Sequence, residues 1–259
     1  MANETLYGQT KTFKLPSGYE VTIREQNGED DDILSNQDKA NDLRNISAFI
    51  SSIVVDTDFT PNRLLSESDA HKLPALDRYA ILFNSRIFSL SDILEFEYNW
   101  GTKEKPIEYA YEVDLKDFIF DYGVKPTEEM LSSKPDAIPY YPNGKKIKNI
   151  EINTTSGKEL TFDILTGEGE SYMLNLPLGE RTKNKELIAR NLKLKVGENY
   201  ESVKNFRMFS VKDMVEIRSM VKGLDPTFTG TTQIKNPNTG EELDIPVMAV
   251  SSFFYLREN

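Results

Sequence analysis

Two stretches of this 259-residue sequence match one another, and that match constrains the fold more than any other feature. Ser17-Gly18-Tyr19-Glu20-Val21-Thr22-Ile23, followed by Gly28-Glu29, pairs with Ser156-Gly157-Lys158-Glu159-Leu160-Thr161-Phe162, followed by Gly167-Glu168, at a constant offset of 139. The same offset sets Phe49 over Ile188, Ile53 over Leu192 and Val55 over Leu194. At an offset of 136, Asp77 and Ile81 meet Asp213 and Ile217, and Trp100 meets Asn236. A unit of hairpin, acidic turn, helix, helix and hairpin, used twice, accounts for these pairs. The competing explanation is coincidence, because Ser-Gly turns between strands are common.

Local patterns give the elements of that unit. Phe13-Lys14-Leu15 and Tyr19 to Ile23 alternate apolar with polar residues around Pro16-Ser17-Gly18, which predicts a hairpin. From Asp42 to Val55, Leu43, Ile46, Phe49, Ile50 and Ile53 recur at three and four and predict an amphipathic helix. Asp77 to Phe88 is too continuously apolar for a surface helix and follows Pro74, so it is expected to be the most buried helix. Glu95 to Trp100 and Ile107 to Val113 alternate around Gly101 to Pro106, giving a second hairpin with an aromatic face. Pro126, Pro135, Pro139 and Pro142 crowd one stretch and forbid both helix interior and central strand there. The expected architecture is therefore α+β: two related lobes, 1–123 and 147–259, joined by a Pro-rich linker at 124–146. Each lobe holds antiparallel hairpins and about two helices.

Composition removes several classes of function. The net charge of −11 lacks the positive field that collects phosphate backbones, so no nucleic-acid partner is expected. No apolar run approaches the ~20 residues of a membrane-spanning helix, and no secretory signal is visible in Met1 to Lys14, so no membrane partner is expected either. With no cysteine and one histidine, thiol catalysis and multi-imidazole metal sites are excluded, and the simplest location is cytoplasmic. The acidic run Glu29 to Asp32 and the basic run Lys145, Lys146 and Lys148 both read as solvated loops.

Candidate chemistry is sparse. His71 lies in the polar stretch Ser66 to Lys72, away from any Gly-x-Ser-x-Gly elbow, and reads as an ordinary surface histidine. Asp30, Asp31 and Asp32 lack the alternating ligands and central glycine of a calcium loop. Gly167-Glu168-Gly169 is too short and too acidic to cradle a phosphate. With 42 acidic residues, any one carboxylate pair carries little information. Asn236-Pro237-Asn238-Thr239-Gly240 has the shape of a zinc-knuckle turn, but asparagine and threonine stand where thiolates would bind, so hydrogen bonds must close it.

Several of these pieces together resemble the baseplate protein family of contractile, T-even-type bacteriophages. The resemblance rests on Leu15-Pro16-Ser17-Gly18 leading into Val21-Thr22-Ile23, a Gly-Glu-Asp loop, and Leu76-Asp77-Arg78 opening an apolar helix through Arg86. The second half adds Asp213-Met214, Ile217-Arg218, the knuckle at Asn236 to Gly240, and the ending Ser252-Phe253-Phe254-Tyr255. In that family the knuckles often read Cys-Pro-x-Cys-Gly, whereas this sequence has no cysteine. The resemblance implies a non-enzymatic baseplate hub component or hub-assembly chaperone, located in the virion baseplate or in the host cytoplasm during assembly. Its implied partners are other phage tail or baseplate proteins, and no catalytic residue, metal or cofactor is carried over. A general protein-binding module and a carboxylate-based hydrolase are the alternatives.

Phe253, Phe254, Tyr255 and Leu256 are four large apolar or aromatic residues close to the chain end, where termini are usually polar. A strand cannot bury all four on one face. Either the tail is a strand covered on both sides, or one pair docks into a partner, with Trp100 as a further contact residue.

Overall fold

The structure is a computed structural model that describes residues 8–255 except 41, 119, 121–146 and 227. The expected linker at 124–146 and Leu256 lie outside the described residues. The class is α+β. Among the described residues are eight α-helices and 11 strands, arranged in four small antiparallel sheets.

The first half opens with the expected hairpin, β1 (Thr10–Lys14) and β2 (Glu20–Arg24). Its turn is closed by the Leu15 amide on the Tyr19 carbonyl (2.7 Å) and the Gly18 amide on the Leu15 carbonyl (2.8 Å). Gly18 takes φ +93°, a left-handed conformation that glycine adopts without steric cost. The acidic run does not form a loop. It forms α1 (Gly28–Leu34), because Asn27 and Asp30 make a reciprocal capping box and the carboxylates face the positive end of the helix. Asp30 is fully buried and takes a two-pronged grip from Arg24 (2.7 and 2.8 Å), so only its neighbours are solvated.

After the short α2 (Gln37–Ala40) comes α3 (Arg44–Ile53), which buries Phe49, Ile50 and Ile53 as the spacing predicts. It stops two residues earlier than expected because Val54 and Val55 turn extended and enter β3 (Val54–Thr57), which pairs with β2. His71 sits on α4 (Glu67–Lys72), capped by Ser66. Helix α5 (Ala75–Ser89) is buried on several faces, as expected. The second hairpin is β4 (Ile93–Asn99) and β5 (Glu108–Asp114).

The second half comprises β6 (Ile150–Asn153), β7 (Glu159–Phe162), α6 (Gly167–Leu174), α7 (Lys183–Ala189), β8 (Lys193–Val196) and β9 (Asn199–Ser202). It closes with α8 (Val211–Leu224) and the hairpin β10 (Thr231–Lys235) and β11 (Glu242–Pro246).

Matching residues of the two halves make matching contacts. The Thr154 amide bonds the Lys158 carbonyl and the Gly157 amide the Thr154 carbonyl, repeating the first turn at offset 139. The Ser17 amide donates to Asp77 in the first turn of α5, and the Ser156 hydroxyl to Asp213 in the first turn of α8. The Gln26 amide donates to Ser89 just as the Leu165 amide donates to Asp225. In the last hairpins the correspondence slips by one residue, so that Asn99 rather than Trp100 matches Asn236: Asn99 Oδ1 accepts the Gly101 and Ile107 amides, and Asn236 Oδ1 accepts the Asn238 and Thr239 amides. Both knuckle-like turns are thus held by an asparagine side chain acting on backbone donors.

Buried side chains form two clusters. One gathers α3, α5 and β4 and also takes in Ile234, Val247 and Phe253 from the end of the chain; the other gathers β6, β7 and α8 and takes in Leu76 from α5. The chain end reaches the first cluster as a single 3-10 turn, Ser251–Phe253, rather than as a strand. A turn of that pitch sends Phe253 inward and leaves Phe254 and Tyr255 along the surface of the same cluster, which dissolves the two-faced problem a strand would pose.

Candidate functional site

The structure separates the residues expected to bind a partner. Phe253 is fully buried, its ring 5.1 Å from Phe83. Phe254 meets Phe49 edge-on at 6.3 Å, and the Tyr255 hydroxyl lies 3.2 Å from Ser35 Oγ. Trp100 is elsewhere: Nε1 donates to the Tyr111 hydroxyl (2.7 Å), which donates to the Lys235 carbonyl (2.9 Å), tying one hairpin tip to the other hairpin. The Ser252 hydroxyl bonds the Glu95 carbonyl, five residues before Trp100 in the sequence. Phe253 and Phe254 pack together at 4.9 Å, whereas the ring contact of Trp100 is with Tyr98.

The densest polar assembly is where α5 meets α6. Extended backbone on either side pairs first: the Ala75 amide bonds the Leu165 carbonyl (2.9 Å) and the Gly167 amide bonds the Leu73 carbonyl (3.2 Å). Arg78, only 2% exposed, reaches beneath this joint. Its Nη1 donates to Ser47 Oγ (2.9 Å) and the Ala70 carbonyl (2.8 Å), and its Nε lies 3.6 Å from Glu170 Oε2. The Tyr79 hydroxyl donates to Glu170 Oε1 at 2.6 Å. Ser47 Oγ also shares a 2.9 Å hydrogen bond with His71 Nδ1. A second buried cation, Arg190, pairs with Asp225 and with Glu186 Oε1 at 3.5 Å.

Burial sets the electrostatics. It pushes the Glu170 carboxyl up against the opposing pull of Arg78, and pushes the Tyr79 hydroxyl far up with the Glu170 charge adding to the effect. Burial, then the Arg78 charge, holds the His71 imidazole below its usual range. His71 is therefore half-buried and neutral near pH 7, not the surface histidine expected; the run Ser66 to Lys72 folds back as a capped helix over α3.

A neutral histidine touching a serine invites comparison with a nucleophile and its base. Ser47 is fully buried and anchored by Arg78, so an acyl group has no approach to its Oγ. No carboxylate among the described residues bonds the other nitrogen of the ring. The arrangement orients and locks; it does not activate. Beside it is a cavity of about 330 Å3 whose wall includes Leu43, Ile46, Arg78, Tyr79, Glu170 and Phe228. Among the described residues no three His, Cys, Asp or Glu side chains converge as metal ligands would.

Neither Ser47 nor Glu170 stands out in the sequence, but Arg78 does: a guanidinium inside a nearly continuous apolar helix requires a buried partner. Gly167 is the matching element. A Cβ there would come within 2.7 Å of Arg78 Nη1 and of the His71 carbonyl oxygen, whereas a Cβ on its counterpart Gly28 meets nothing within 4 Å. Gly167→Ala is expected to cost about 1–3 kcal/mol in chemical denaturation. Gly28→Ala should be within about 0.5 kcal/mol of wild type. Equal effects would show that the joint tolerates a side chain.

No helix among the described residues is long and apolar enough to cross a membrane. Comparison with protein-family models, curated proteins and solved structures finds no match to this chain.

Proposed function

We propose that the chain is a non-enzymatic structural or assembly protein of a contractile-tail baseplate, working through contacts with other tail or hub proteins. What supports this reading is the use to which the reactive side chains are put. Ser47, His71, Arg78, Tyr79 and Glu170 form one network that fastens the two halves of the chain, with the serine fully buried. The two short motifs behind the baseplate resemblance also meet: the Ser17 amide of Leu15-Pro16-Ser17-Gly18 donates to Asp77 of Leu76-Asp77-Arg78 at 3.0 Å. They form one structural joint rather than a site that faces solvent. The expected locations are the virion baseplate or the host cytoplasm during assembly.

A general protein-binding module is the second reading, favoured by the exposed apolar side chains at the start of α8, including Val211. The two readings differ in the company the protein keeps. Tagged protein expressed in the infected host should co-purify with tail-tube, hub or baseplate proteins and sediment with tail intermediates. Recovery with host proteins alone would favour the general module. Hydrolytic turnover abolished by one carboxylate substitution would overturn both.

A further inference from the structure

The α5–α6 joint has two counterparts within the same chain, and neither is covered. Helix α6 corresponds to α1 through Gly167 and Gly28, and α5 corresponds to α8 through Asp77 and Asp213. In the joint, α6 of the second half covers the start of α5 of the first. The start of α8 has no such cover, and α1 covers no such helix.

Burial records the difference residue by residue. Ala75, whose amide bonds across the joint, is 7% exposed; its counterpart Val211 is 83% exposed. Tyr79, which reaches Glu170 across the joint, corresponds to Val215, which is 59% exposed. Met208, in the turn that precedes α8, is also exposed, at 48%. The Val211 amide has no acceptor among the described residues, where the Ala75 amide has the Leu165 carbonyl. Two exposed apolar side chains on the first turns of α8, with a third in the turn just before it, are the kind of patch that a partner covers.

Charge says which partner. Lys204, Arg207 and Lys212 are exposed in the segment that carries this face, an excess of cations over the neighbouring Glu201 and Glu216 on a chain of net charge −11. The surface that corresponds to α6 is α1, and its solvent side carries Glu29, Asp31 and Asp32. Asp31 stands at the position of Glu170, the residue of α6 that enters the joint. Gly28 leaves open the space that Gly167 shares with Arg78 and the His71 carbonyl.

We infer that the chain associates head to tail with a second copy of itself, the α1 surface of one copy covering the Met208, Val211 and Val215 face of the next. This contact repeats between copies the joint already made within each copy. It is heterologous, each copy keeping one face of each kind open, so growth continues unless a ring closes or another protein caps an end. The inference stands apart from the baseplate reading, since it concerns the purified chain alone.

Sedimentation velocity on the purified full chain tests it. Species larger than a monomer should grow with concentration up to about 100 μM and recede as salt is raised, because the contact pairs opposite charges. Val215→Glu puts an acid on the apolar face, and Glu29→Lys with Asp31→Lys reverses the α1 surface. Each variant should stay monomeric, weakening association at least about tenfold; Val215→Glu should melt like the wild type because its side chain is exposed, and the double lysine variant only a few degrees lower, because it removes two carboxylates from the first turn of α1. Mixed together, the two variants should form a dimer that does not grow further, since each retains the face the other has lost. Met208→Glu serves as a second blocking variant if Val215→Glu fails to fold. A wild-type chain that remains monomeric overturns the inference, as does a capture of tail proteins at this face by a chain that never self-associates. Variants that each associate like wild type, or a mixture that yields no dimer, also overturn it.

Discussion

Phe253→Ala is expected to destabilise the protein by about 3–5 kcal/mol, the range for removing a buried phenylalanine ring. For a chain of this size that lowers the melting midpoint by roughly 10 °C. The ring is fully buried and meets Phe83 edge-on at 5.1 Å, and Phe83 in turn meets Phe118, Phe120 and Phe228 within 5.5 Å. Removing Phe253 thus empties one wall of a shared aromatic cluster, which cannot collapse without moving α5. Phe254→Ala should cost only about 1–2 kcal/mol, because its ring is half-buried and makes edge contacts to Phe49 and Phe253. Thermal denaturation of the two variants separates a tail that belongs to the core from one that only docks elsewhere. A Phe253→Ala midpoint within about 2 °C of wild type would place the tail outside the core.

How far this fold can be read from the sequence depends on where each signal is stored. Hairpins were legible because alternation and a turn residue sit within about ten residues: Pro16-Ser17-Gly18 marks the first turn, and Gly18 indeed takes positive φ. Helix α5 was legible because its apolar run is long. The acidic run misled, since its charge suggested solvent while its position two residues after Asn27 put it in a helix start, and Arg24, six residues before Asp30, supplied a buried partner. Burial by itself would raise the Asp30 carboxyl, but hydrogen bonds from Arg24, the Asn27 amide and Ser52 hold it below the usual carboxylate range. Reading that outcome required a capping box and an ion pair, not a count of acids.

The tail failed for a different reason. Alternation arguments presume a strand, and nothing within Ser251 to Tyr255 announces a 3-10 turn; the turn follows from Val247 docking and the Phe253 amide bonding Val250. The polar joint was not visible: Gly28 and Gly167 matched as part of the repeat, but the pairing of Arg78 with Glu170 spans 92 positions and belongs to tertiary structure. Long-range ion pairs leave no periodicity to read.

That pairing has the second large expected effect. Arg78→Met should cost about 3–5 kcal/mol, the range for breaking a buried pair from one side, because it leaves the Glu170 carboxylate without its cation and Ser47 Oγ and the Ala70 carbonyl without a donor. Arg78→Met combined with Glu170→Gln should recover part of the loss, since the amide oxygen still accepts from Tyr79 and no buried charge is stranded. A pH titration of stability discriminates further. Burial already raises the Glu170 carboxyl, and losing Arg78 removes the interaction that opposes the rise. A raised folded-state value means that the group's stabilising contribution is complete below the unfolded value of about 4.3 and is lost as pH rises through the folded value. The Arg78→Met variant should therefore lose stability more steeply than wild type as pH rises above the unfolded value, and the double variant should lose that added slope. Equal slopes for the single and double variants would mean that Glu170 gives up its proton at no cost, and that solvent rather than Arg78 supports its charge.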